Sequence, residues 1–406
     1  MKPLIIGKVW PEPTSSAAGK RTQGLIEAFL EAGWPVHFAT TAQPTDHSTA
    51  LEAIGVATSA IQVNDSEFDC WLRELAPDLV LFDRYMVEEQ FGWRVEQVCP
   101  DALRVLDTSD LHSLRYAREQ QVKQGGALDL FNKVALREIA AIFRSDMNLI
   151  ISEFEIECLR SVFQVPEAQL CYLPLMTDLR AASPLPFDGR SDFVMIGSYL
   201  HAPNWDAVLW CCREIWPIIR EQLPDAQLHL YGSYESDKAR LLENKALGIY
   251  SCGRADDALK TIERYRVNLA PLRFGAGQKG KVLDGFCAGT PTVATPIAAE
   301  SMHGNIDWGC PIPSHADDFA KTAIELYSKP ELWTKVQQQG YQILEDRFLA
   351  SEWKPRLIEQ FTKLRSEDRQ KHFTGQMLRH HQHRSTEYMS RWIEAKNRLK
   401  AYHPPR

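Results

Sequence analysis

No stretch of this 406-residue chain stays apolar long enough to cross a bilayer. Its first residues, MKPLIIGKVW, lack the apolar core and small-residue cleavage site of a secretion signal. These two absences lead to an expected cytoplasmic location. Nine cysteines, an odd number, show no C-x-x-C spacing, which argues against a disulfide framework and against a zinc ribbon. Cys70, Cys158 and Cys287 sit among apolar neighbours and read as buried free thiols, while adjacent Cys211 and Cys212 are poorly placed to share a metal. No Asp/His cluster suggests a required Mg²⁺ or Mn²⁺. A net charge of −7 gives the body of the chain no attraction to nucleic acid. A complete Walker motif is also missing, because Val282 stands where its Ser or Thr would be.

What is present is an alternation of strand and helix signals. Apolar content of 44% and charged content of 24% fit a globular protein, and the length predicts two domains plus an appendage. Strands are predicted at 4–6, 36–39, 78–82, 104–106 and 147–152, with helices at 21–32, 66–75, 88–98, 135–143 and 153–163. A polar, proline-bearing stretch at 181–190, AASPLPFDGR, reads as a linker. A second series follows: strands at 192–196, 227–231, 267–270 and 292–295, and helices at 205–222, 235–244, 279–288, 316–328 and 330–344. The expected fold class is α/β, two facing Rossmann-like doubly wound domains with a cleft at the carboxyl ends of both sheets. Residues 1–180 and 191–350 are the expected domains. A helix at 353–364 and a basic helical tail at 367–406 follow.

The densest information lies in residues 271–301, PLRFGAGQKGKVLDGFCAGTPTVATPIAAES. Gly275 and Gly277 let backbone N–H groups approach a ligand closely. The helix that follows starts with Lys279 and Lys281, where the helix dipole alone would favour acidic residues, so a bound anion explains the lysines better. Gly289 suits the helix end, and Thr290-Pro291 turns the chain into a strand. A tight turn and buried helix of any α/β protein explains the glycines equally well.

This segment resembles the donor-binding motif of the retaining, nucleotide-sugar-dependent glycosyltransferases of GT-B fold, the family 4 or group 1 type. Their pattern runs approximately G-x-G-x-K-x-K-x-L-E-A-x-A-x-G-x-P-V-V-x-T. The resemblance implies that Asp284 stands where a glutamate binds the ribose hydroxyls. A second family glutamate, on the donor sugar, is replaced by Ala276. Glu300 and Ser301 are similar to the family's T-x-x-G-x-E segment, where a glutamate binds donor hydroxyls. The resemblance further implies that the helix at 351–366 returns to the N-terminal domain, and that this domain faces the acceptor.

Other candidates lie at predicted strand ends. PTSSAAGKR, residues 13–21, resembles the family's first glycine loop, with Gly19 near the donor phosphates; a generic βα turn explains it nearly as well. DTSDLHSLR, residues 107–115, places two carboxylates, His112 and an arginine at the cleft edge. His112 suits proton transfer or donation to developing charge, while Asp110 suits a cap for a helix beginning near Leu111. GSYLHAPN, residues 197–204, offers Gly197, His201 and Asn204 to the diphosphate in place of a family arginine; Asn204 suits a helix N-cap equally. Loops at 231–233 and 252–254 are expected around the nucleotide base.

The implied activity is transfer of a sugar from a nucleotide-diphosphate sugar to an acceptor hydroxyl with retention, in glycan or glycoconjugate biosynthesis. His112, Lys279 and Lys281 are the catalytic candidates, and no cofactor is required. The acceptor class, glycan, lipid-linked or other, stays open. So do two alternatives: a sugar-nucleotide epimerase of the same fold, and an inactive binding protein of that shape. Residues 365–406 differ in character, with ten Lys/Arg against four Asp/Glu, so the preceding body carries −13. A helix at 386–400 would gather Tyr388, Met389, Trp392 and Ile393 on one side. It reads as a helix packed on the body with a basic face outward, or as a contact for an anionic membrane or nucleic acid.

Overall fold

The computed structural model describes residues 1–178, 180, 184–235, 237–366 and 372–402. The first sheet is built from β1 (Pro3–Gly7), β2 (His37–Thr40), β3 (Ala57–Ala60), β4 (Leu79–Asp83), β5 (Leu103–Asp107), β6 (Met147–Ile150) and β7 (Leu170–Tyr172). All its pairings are parallel, in the order β3-β2-β1-β4-β5-β6-β7. The second comprises β8 (Ser191–Ile196), β9 (Leu228–Tyr231), β10 (Ile249–Gly253), β11 (Tyr265–Ala270) and β12 (Thr292–Ala294). It too is parallel, ordered β10-β9-β8-β11-β12.

Parallel sheets covered by helices on both faces need strands that are apolar throughout. β1 and β4, PLIIG and LVLFD, are buried at every position. Alternation then assigns the faces: Leu4, Ile6, Val80, Phe82 and Leu106 join one core, and Ile5, Leu81, Val105 and Leu149 join the other. Leu357, Phe361 and Leu364 of helix Ala350–Ser366 pack into the second core with Leu25 and Phe29. Lys354 reinforces that contact through Glu27 and Glu31, at 3.1 and 2.6 Å.

Both sheets reverse direction beside their first strand, between β1 and β4 and between β8 and β11. A reversal leaves a crevice at the carboxyl ends of the strands. The loops after β1, β5, β8 and β11 therefore surround a common cleft, and they are the loops carrying the candidate residues.

Several elements differ from the sequence reading. Edge strand β3, ATSA, lacks the apolar pattern that marks a strand, and β7, LCY, is too short to show one. The helix expected at 235–244 is only Asp237–Arg240. The helix expected at 205–222 is interrupted by a π turn, Cys211–Ile215, ahead of Pro217. Of the expected linker, residues 181–183 lie outside the described residues. Its end is not a free connector, because Arg190 is buried against Ala288, Thr290 and the Trp333 ring. Cys158 and Cys287 are buried, but Cys70 is exposed; all nine thiols are free.

The tail expectation at 367–406 includes residues 367–371 and 403–406, outside the described residues. The described part forms helix Phe373–Leu378, a π turn and helix Arg384–Tyr402, and it packs on the first domain. Arg379 donates to the Arg144 carbonyl at 2.6 Å, His383 lies 2.7 Å from Glu96, and Ser66 donates to Glu394 at 2.7 Å. The aromatic side expected at 388–393 faces solvent instead of the body, with Tyr388, Met389 and Trp392 exposed and Ile393 half-buried.

Candidate active site

Helix Gly280–Ala288 follows β11 through the loop 271–279. Its N-cap is Lys279, with no side-chain cap and no acidic residue in the first turn, and it ends on Gly289 in the left-handed region (φ 60°). Gly277 also has positive φ, 64°, and a Cβ there would lie 2.9 Å from Asp110 Cβ, so only glycine fits this seam between the domains. Gly280 is equally close to the other domain: a Cβ would meet that of Ala17 at 2.7 Å. The first-domain loop thus lies directly on the helix start.

The two lysines divide their roles. Lys279 is buried and its Nζ donates to the carbonyls of Ala276 and Gly277, shaping the loop from within. Lys281 points the other way and donates to Asn204 Oδ1 at 2.6 Å, beside Gly197. Burial, and next the neighbouring Lys279 charge, bring the Lys281 ammonium down to about 7. Lys279 is also lowered by burial, with Glu300 acting in the opposite sense. Asn204 is therefore a partner of Lys281 and of the Ser198 carbonyl, and His201 holds the N-cap position that sequence alone left open to Asn204.

The opposite wall is residues 107–118. Asp107 pairs with buried Arg21 at 2.8 Å; burial pushes its carboxyl up despite that arginine, and Asp83 adds to the rise. Asp110 does not cap the following helix. Its carboxylate lies 3.3 Å from His112 Nε2 and pairs with Arg115. Burial would raise its pKa, but Arg115 and then His112 hold it well below the usual carboxylate range. The cap comes from elsewhere: Glu138 accepts from the N–H groups of His112 and Ser113 at 2.9 and 2.8 Å. His112 also stands edge-on to Tyr85, with ring centroids 5.6 Å apart. His201, at the rim, keeps solvent access, yet the packed walls bring its imidazole down to about 4, with Arg115, Lys281 and Lys279 acting in the same direction.

The remaining candidates lie along the seam. Gly19 sits in the first turn of helix Ala17–Glu31, its N–H donating to Ser16 Oγ at 3.0 Å and its Cα against the Glu12 backbone. Asp284 is paired across the cleft with Lys20. Gly275 offers its carbonyl to Arg118 at 2.8 Å, and the same guanidinium binds Glu300 through two bonds of 2.9 and 2.6 Å. Ser301 Oγ lies 2.8 Å from Ser152 Oγ. Loops 231–233 and 252–254 meet the first loop: Ser233 donates to the Ser15 carbonyl at 3.5 Å and Arg254 to Thr14 at 2.7 Å, and the adjoining Tyr234 donates to Glu12 at 2.8 Å.

Arg118 and Glu155 were not found from sequence. Glu155 is buried at the centre of the seam. One oxygen accepts from the Leu111 N–H at 2.9 Å and the Gly277 N–H at 2.7 Å, joining both domains; the other has no hydrogen-bond partner among the described residues. Burial, then Asp110, raises its pKa, with Lys279 opposing and Glu138 adding. In ISEFEIE it resembles any acidic residue opening a helix, and no local signal separates it from Glu153. Among the described residues, no group of three or more His, Cys, Asp or Glu side chains is placed to hold a metal ion.

Residues 190–329 match the family model described as Glycosyl transferases group 1. The chain has a GT-B fold, and its second domain carries the group 1 segment. No curated protein matches it by sequence. Among solved structures, a glycosyltransferase from Rickettsia africae superposes with a TM-score of 0.66 at 10% identity, over 90% of this chain and 99% of that one. Anabaena Alr3699/HepE, solved with UDP and glucose, gives 0.65 at 12% identity, over 89% and 99%. S. aureus TarM, solved as a point mutant in complex with fondaparinux, α-GlcNAc-glycerol and UDP, gives 0.57 at 13% identity. That match takes in 74% of this chain, and the chain spans 58% of TarM's length. At these identities the likeness shows the fold. The matched group 1 segment contains the whole lysine-bearing helix start.

Proposed function

We propose that this chain transfers a sugar from a nucleotide-diphosphate sugar to an acceptor hydroxyl with retention of anomeric configuration. The observation that carries the reading is the start of helix Gly280–Ala288: an N-terminus without an acidic cap, flanked by Lys279 and Lys281, with His201 of the same domain beside it and Arg115 on the opposite wall. Fixed positive charge and aligned N–H groups stabilise a leaving diphosphate without reorganising during the reaction. UDP in solved structures of the same fold supports a uridine nucleotide as the first donor to try.

In the proposed reaction the acceptor oxygen bonds to the anomeric carbon on the face that the diphosphate leaves. The carbon–oxygen bond to the diphosphate breaks, and the hydroxyl proton passes to the departing phosphate oxygen. Lys281 binds the diphosphate, with Gly197 and Asn204 beside it. His112, oriented by Asp110, is assigned to donate to charge developing near the sugar. Asp284 binds the ribose hydroxyls after exchanging its contact with Lys20. The contribution is positional and electrostatic.

The test is a calorimetric and thermal-shift series of nucleotide sugars against the parent and its Lys281→Ala and Asp284→Ala variants. The parent is expected to be stabilised by one nucleotide, with affinity reduced about tenfold or more by Lys281→Ala. If no nucleotide shifts the parent, the proposal fails at its centre. Turnover of a nucleotide sugar without acceptor would replace transfer by epimerisation. NMR of the product's anomeric proton decides retention.

A further inference from the structure

We propose that the outward face of helix Arg384–Tyr402 docks the protein on an anionic lipid surface. The observation is an aromatic and aliphatic stripe held away from the body: Tyr388, Met389, Trp392 and Leu399 are 67, 59, 59 and 64% exposed. At about 100° per residue, Tyr388, Trp392 and Leu399 fall within roughly 40° of one another. Phe373 and Met377, exposed on the preceding helix, carry apolar surface further along the tail.

The anchoring of the helix explains why this face is outward. Its inner side is polar and specifically bonded: Arg94 reaches Ser390 at 3.3 Å, Ser66 donates to Glu394, and His383 sits between Glu88 and Glu96. Rotating the helix to bury Trp392 would break all of these contacts. The stripe is therefore fixed outward by the fold.

Charge selects the partner. By the same helical geometry, Arg384 and Arg391 flank the stripe on one side, Lys396 and Lys400 on the other. Lys396 Nζ stands 4.9 Å over the Trp392 ring. Of the two acids on this helix, Glu394 is turned inward to Ser66, and Glu387 is paired with Arg391 at 2.8 Å. An apolar stripe with Trp and Tyr between rows of cations matches a headgroup layer, with rings at the interface and ammonium groups at the phosphates. The remaining body, at −13, is repelled by the same surface, so only this face goes down. No helix among the described residues is long and apolar enough to cross a membrane, so the contact lies in the plane of the surface.

The experiment is co-sedimentation of the full chain with vesicles of phosphatidylcholine alone or mixed with phosphatidylserine. The parent is expected on the mixed vesicles and not on the neutral ones, with binding weakened by salt. Tyr388→Ser with Trp392→Ser, and separately Lys396→Glu with Lys400→Glu, should each reduce binding about tenfold or more. These side chains are exposed, so circular dichroism of the variants should match the parent. Equal binding to both vesicle types overturns the proposal, as does unchanged binding of both double variants. It is also overturned if, without lipid, Tyr388→Ser with Trp392→Ser dissolves a dimer of the parent, or if the parent binds RNA and not vesicles.

Discussion

Lys281 illustrates how a single side chain can be held in a state that folding alone disfavours. Burial and Lys279 bring its ammonium down to about 7, while its only side-chain hydrogen-bond partner among the described residues is the neutral Asn204. A lysine in an unfolded chain keeps its proton to about pH 10. The unfolded state thus holds more protons between pH 7 and about 10, so this group makes stability rise with pH across that window. Lys281→Met should accordingly stabilise the free protein at pH 6, by about 1 kcal/mol, while weakening nucleotide binding; a thermal melt with and without nucleotide checks both. A bound diphosphate reverses the balance by raising the lysine's pKa. Binding at pH 8 should therefore take up protons, affinity should fall as pH rises from 7, and Lys281→Arg should flatten that dependence. Calorimetry at pH 8 in buffers of contrasting ionisation enthalpy measures the uptake. His201, down at about 4, is too far below pH 8 to mimic the effect unless the anion raises it by several units.

Elements differ in how they are attached, and the tail is held mainly by charge. His383 is pulled down by burial, but the nearby Glu88 and Glu96 carboxylates reverse this and raise its pKa. A raised histidine stabilises fully below its unfolded value and loses that contribution as pH rises through the folded one. Helix Arg384–Tyr402 should therefore exchange its amides faster at pH 9 than at pH 6, in excess of the intrinsic pH effect. His383→Ala should remove the difference, with loss of about 1–3 kcal/mol from the docking of the tail; hydrogen exchange by mass spectrometry checks it. The same helix shows where sequence reading stops. Its amphipathic character was legible from Tyr388, Met389 and Trp392, but which side faces the body was not, because the anchors are polar residues bonded to partners far away in sequence. Strands β1, β4 and β8 were legible because burial on both faces demands apolar runs. Edge strand β3, made of small residues, satisfies its backbone without showing that pattern. The lysines and glycines of 271–289 were readable because backbone geometry and helix polarity are local properties. Glu155 and Arg118 gain their meaning only from residues across the seam.

At the scale of the whole molecule, the two domains are held together by contacts that line the cleft. Arg118 is the densest of them, since one guanidinium binds both Glu300 oxygens and the Gly275 carbonyl while both ion-pair partners are largely buried. Nearby, Ser152 meets Ser301 and Glu155 accepts from Gly277, whereas Lys20–Asp284 and Tyr234–Glu12 close the other side through the first loop. Arg118→Ala leaves the Glu300 carboxylate without its cation, in a seam that already holds Glu155 and Asp110. Truncating one member of such a pair costs about 2–5 kcal/mol, much of it relieved if the cleft opens and water reaches Glu300. The expected result is a larger radius of gyration by solution X-ray scattering, at little cost to either domain's own core, and nucleotide affinity lowered about tenfold or more. A purely local packing role predicts a lower melting temperature with unchanged scattering. The double variant Arg118→Ala with Glu300→Ala separates the two, because removing the stranded carboxylate should return part of the closed population; if the radius stays that of the parent in Arg118→Ala, the seam is held by its other contacts and this pair does not control closure.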